Sequence, residues 1–156
     1  MLVDYLNQHL LGSRSGVQMF RAAAATWKGR PQEDSLNRLA EEVGGEQDRV
    51  ERLIREVGGR ITPAYRAAGA AAAAGGRMNP VNGLRTRGTG WTQVELDTLQ
   101  GLLQAKAGMW DVLERLAGHH PRIDAAEMRH LYDQAQKQQA EVHRISQETL
   151  EERFVG

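Results

Sequence analysis

Apolar positions recur at spacings of three and four along four stretches of the chain, and no stretch alternates strictly as a half-buried strand would. Leu6, Leu10, Val17, Phe20, Ala24 and Trp27 form one stripe and predict a helix over 2–28, broken by Gly29-Arg30-Pro31. Leu36, Leu39, Val43, Val50, Leu53 and Val57 predict a second over 34–58, opening at Asp34 or Ser35 and stopping at Gly58-Gly59, a pair suited to a helix C-terminus. A third is predicted over 92–118, with Thr92 as N-cap, Glu95 at capping-box spacing, and a stripe through Leu96, Leu99, Leu103, Trp110 and Leu113. The fourth, over 123–154, opens at Asp124 with Glu127 three residues on and carries Met128, Leu131, Ala135, Val142 and Ile145.

Loop lengths set the order of packing. The first and last pairs of helices are separated by a few residues, so each pair should close as an antiparallel hairpin. About thirty residues, 60–90, separate the second helix from the third. A connection of that length can cross the whole body, so the expected fold is all-α: an antiparallel four-helix bundle of two hairpins joined by a long crossover. Residues 62–74 should add a short helix on the way.

The 156 residues suit a single domain over 1–156, able to bury roughly 70% of its unfolded surface. Twenty basic and twenty acidic residues cancel, so the overall charge offers no attraction to nucleic acid or an anionic membrane. Only three of the basic residues are lysines; the arginine excess, with many Ala and Gly, suits a GC-rich, bacterial genome. The absence of cysteine removes disulfides, zinc ribbons and thiol chemistry. No apolar run approaches the ~18 residues of a membrane span, and no leader pattern opens the chain, so a cytoplasmic location is expected.

Two hairpins and one long crossover are the connectivity of the ferritin-like bundle, and some residues resemble that family too. Leu6-Asn7-Gln8-His9-Leu10 is similar to the start of its first helix. Glu46-Gln47-Asp48-Arg49-Val50-Glu51-Arg52-Leu53-Ile54 is similar to its second-helix segment bearing Glu-x-x-His. The resemblance implies a homodimer pairing through the first two helices. It also implies positions for a di-metal centre: Ser13 for the first glutamate, Glu46 and Arg49 for the second-helix Glu-x-x-His, Gln100 or Gln104 for the third-helix glutamate, and Gln136 and Gln139 for the fourth-helix Glu-x-x-His. One carboxylate remains. Divalent iron or manganese needs carboxylates or neutral imidazoles, and a guanidinium cannot serve as a ligand. No metal and no cofactor are therefore expected. In their place Ser13, Glu46, Arg49, Gln104, Gln136 and Gln139 should form a polar layer, with Arg49 paired to Glu46 one turn away. The alternative is that Glu46 and Arg49 face water while Gln47 lines the seam.

Other features weigh less. Mid-helix glycines Gly12, Gly16, Gly44, Gly45, Gly101 and Gly108 each disfavour helix by up to about 1 kcal/mol against Ala. They point either to close helix approach or to a small internal slot. Glu127 and His130 form the one Glu-x-x-His of the chain, more than two turns from the family position and without evident partners. His119 and His120 mark a solvated helix end. Five arginines and no acid between 60 and 90 suit a loop lying on the acidic flanks of its own bundle better than a nucleic-acid surface. Trp110 reads as core, and Trp91 as an anchor for the crossover or a subunit contact. The chain is thus expected to be a metal-free ferritin-like structural or interaction protein with an unknown protein partner rather than an enzyme. A divergent metal-binding protein or oxidoreductase and a small-molecule carrier are the alternatives.

Overall fold

The computed structural model describes residues 1–67 and 90–155, with only the backbone described at Gly90 and Trp91. Every regular element among them is helical: α1 (Leu2–Thr26), α2 (Pro31–Glu56), α3 (Gly90–Leu116), α4 (Ala125–Glu148) and the short α5 (Leu150–Phe154). A single turn over 63–67 and a 3₁₀ turn at Ala117–His119 complete the set. The rest of the 60–90 crossover, including most of the helix expected over 62–74, lies outside the described residues, as does the Trp91 side chain.

The long helices pack mainly as α1 on α2 and α3 on α4, with lighter contact of α1 on α3 and α2 on α4. Direction follows from two apolar clusters. Leu6 and Leu10 from the start of α1 join Leu53 and Ile54 from the end of α2, Trp110 and Leu113 late in α3, and Met128 early in α4. The other cluster gathers Phe20 and Trp27, Leu36 and Leu39, Leu96 and Leu99, and Val142 and Ile145. Hence α1 and α4 run one way, and α2 and α3 the other. The chain between α2 and α3 must return from one cluster to the other, along a helix about 39 Å long.

Several boundaries shift for local reasons. α2 begins at Pro31, three residues before Asp34, because proline suits the first helical turn and Glu33 and Asp34 then fall where the helix dipole favours acids. Glu33 also accepts a hydrogen bond from the Gly29 amide at 2.6 Å. α3 begins at Gly90, so Thr92 is not its N-cap; Thr92 and Glu95 lie inside the helix and are buried. Asp124 does cap α4, its Oδ1 accepting from the Ala126 amide at 2.8 Å and the Glu127 amide at 3.1 Å. The helix expected to run to 154 stops at Glu148. Beyond it, buried Arg153 donates to the carbonyls of Ser146 and Thr149, holding the last carbonyls of α4 as α5 turns away.

The start of the crossover is fastened to α1. Asn7, 5% exposed, donates from Nδ2 to the carbonyls of Val3 (2.9 Å) and Arg60 (3.0 Å) and accepts from the Thr62 amide (2.9 Å). Gly58 ends α2 with φ +81°, and a Cβ on Gly59 would stand 2.6 Å from the Val3 side chain, so the two glycines answer different demands.

A buried ion pair beside an apolar cleft

Glu46 is the only acid of α2 fully buried, at 5% exposure. It lies three residues after Val43 and four before Val50, on the apolar stripe, so the helix carries it inward with its neighbours. Lys106 of α3 meets it. The Lys106 Nζ lies 2.5 Å from Glu46 Oε2, with side chains 12% and 5% exposed. That contact pairs charge at short range without the angle of a directed hydrogen bond. Gln138 of α4, 2% exposed, closes the group: its Nε2 donates to Glu46 Oε1 at 2.9 Å and Glu42 Oε2 at 3.0 Å, and its Oε1 accepts from Lys106 Nζ. Burial lowers the Lys106 pKa, while the carboxylates of Glu46 and Glu42 oppose that shift.

Arg49 goes elsewhere. It does not pair with Glu46, as the sequence suggested, but grips Glu127 of α4 with both arms of its guanidinium, Nε to Oε1 at 2.5 Å and Nη2 to Oε2 at 2.8 Å. Its Nη1 donates to Glu56 at 3.1 Å. Hydrogen bonding to Arg49 lowers the Glu127 pKa, and hydrogen bonding to Glu127 raises that of Arg49. Glu127 therefore has a partner on another helix, contrary to expectation, while His130 is exposed.

The six positions of the expected layer do not assemble. Gln104 and Gln136 are exposed. Ser13 is half-buried and donates to the Leu10 carbonyl of its own helix at 2.7 Å. Gln139 is half-buried, and its Nε2 has no partner among the described residues. Gln47 is half-buried as well, so neither expected register describes α2 fully. Sequence reading missed Lys106 and Gln138. Both were legible as periodic positions: Lys106 falls three residues after Leu103 and Gln138 three after Ala135, each a polar residue interrupting an apolar stripe.

The donor set does not suit two divalent metal ions. An ammonium stands on the buried Glu46 carboxylate, and the Gln138 amide ties up its other oxygen while also holding Glu42, so the two carboxylates are already engaged by N–H donors. Among the described residues no group of three or more His, Asp or Glu is placed to hold a metal ion.

Next to the pair lies a cleft of about 240 Å³ among α1, α2 and α3. Its walls are mostly apolar, with Phe20, Val43, Leu102 and Met109 among them, and Glu46 and Lys106 bring the opposite charges of the pair to its lining. His9 also lines it, its pKa lowered by burial. Gly12 and Gly16 form part of the α1 wall. Among the described residues, a Cβ on Gly12, Gly44, Gly45, Gly101 or Gly108 would meet nothing within 4 Å, and on Gly16 only Leu102 Cδ1 at 3.8 Å. Close helix approach therefore explains none of them, and at Gly12 the missing side chain leaves the cleft open.

Among the described residues no helix is long and apolar enough to cross a membrane. Comparison of the chain with protein-family models, curated proteins and solved structures returns no match.

Proposed function

We propose that the chain is a metal-free protein of ferritin-like four-helix-bundle architecture that acts by binding and carries no redox centre of its own. The observation that carries this reading is the placement of Lys106 against Glu46, where a compact ammonium supplies the positive charge a metal would bring. The parallel course of α2 and α3, with a long connection between them, supports the architecture. On the same resemblance, two copies would pair through α1 and α2, a point that sedimentation at several concentrations checks.

The test is elemental analysis of protein purified without chelator and then challenged with Fe(II) under air. Less than about a tenth of a metal per chain, with no oxidation above buffer, is the expected outcome. Two metals per chain would sink the reading, since their ligands would have to be found elsewhere. Lys106→Glu sharpens the test: it places a second carboxylate on the first, and metal uptake gained only by that variant would identify the lysine as the group that excludes metal.

A further inference from the structure

We infer that the cleft among α1, α2 and α3 is a binding site for one small, uncharged, mostly apolar molecule with a hydrogen-bond acceptor at one end, oriented by Lys106. This rests on the reading that an ion pair, not metal, occupies the adjoining core. Three independent features converge. The walls are apolar, so the body of the ligand is apolar. In the lining of the cleft the charges of Lys106 and Glu46 balance, Glu42 lying outside it, so an added anion would face Glu46 and an added cation would face Lys106. Among the described partners, Lys106 makes one directed hydrogen bond, to Gln138, and a charge contact with Glu46, which leaves N–H capacity for an acceptor in the cleft that Lys106 lines. Burial lowers the pKa of His9 in the same lining and so disfavours its cationic form.

Size limits the occupant: a cleft of about 240 Å³ falls below the ~300–1,000 Å³ of drug-sized sites and holds a compact molecule. Gly12 and Gly16 fit the same purpose, because at both positions a bulkier side chain would grow into the space the ligand needs.

Acetophenone and ethylbenzene test it, being alike in shape except that only the first carries an acceptor. Each is titrated into the full chain and followed by amide chemical shifts. Acetophenone should bind saturably, with shifts centred on Gly12, Ser13 and Gly16, and about tenfold or more tighter than ethylbenzene. The double variant Glu46→Gln/Lys106→Met should lose that preference but keep ethylbenzene binding. Gly12→Leu should abolish both, and Leu102→Phe, which narrows the cleft from the opposite wall, should weaken both if Gly12→Leu does not fold. No saturable shift up to the solubility limit, equal affinity for the two probes, or undiminished binding in the folded cleft-filling variant would overturn the inference. Iron uptake alongside intact acetophenone binding would instead sink the metal-free reading and leave the cleft standing.

Discussion

Glu46 and Arg49 stand three residues apart on α2, yet they belong to two different electrostatic worlds. Glu46 is buried against Lys106 and Gln138, both partners drawn from other helices. Arg49 lies nearer the surface, its side chain 14% exposed, and holds Glu127 and Glu56, whose side chains are 37% and 42% exposed. Adjacent turns of one helix can thus carry opposite charges that ignore each other, because each finds a partner across an interhelical seam. The central pair gives up more hydration and is screened less by salt; the outer pair gives up little and is screened more.

The largest expected effect is at the centre. Lys106→Met leaves Glu46 buried without its counter-charge and should destabilise the fold by about 3–5 kcal/mol in urea unfolding, while adding Glu46→Gln should restore most of the loss. A double variant no more stable than the single would show that the pair is not coupled. Arg49→Met should lose about 1.5 kcal/mol, because both Glu127 and Glu56 keep access to water when their partner goes. Glu127→Gln probes the same contact through pH. Its pKa is lowered on folding, so the contact stabilises above the ordinary carboxylate value and its contribution, no more than about 1 kcal/mol, fades as pH falls below about 4.5. Wild type and Glu127→Gln should therefore converge in stability under acid, and a gap that widens there would contradict the pairing. At the outer face, hydrogen bonding to Arg144 takes Glu141 down to about 2. Glu141→Gln should cost about 1 kcal/mol at neutral pH, a difference lost between about pH 4.5 and 2. The smallest change is Gly45→Ala, which should raise stability by up to about 1 kcal/mol in the same unfolding assay without altering either pair, since the new Cβ meets none of the described residues within 4 Å.

The helices were legible because their apolar spacing is strong over six or seven turns, and Asp124 was legible as a cap because its side chain acts on amides two and three residues away. Partner choice was not. Pairing Arg49 with Glu46 uses the acid one turn back on the same helix, but the chain answers with Glu127, 78 residues away in sequence. Lys106 escaped notice because a lone lysine in an apolar stripe looks like an exposed tip until the facing helix is known to present a carboxylate. The glycines divided in a similar way. Gly58 and Gly59 announce a helix end by sequence alone, whereas Gly12 acquires meaning only from the empty space beside it.

Asn7 has a consequence for the order in which the protein can be made. Its partners are Val3, Arg60 and Thr62, so this latch across the α1–α2 hairpin draws on nothing beyond the first 62 residues. A chain leaving the ribosome N-terminus first holds every component of that latch before any residue of α3 exists. The Glu46 carboxylate, by contrast, must wait for Lys106 and then Gln138. The half made first can fasten itself; its buried charge is neutralised only by the half made last.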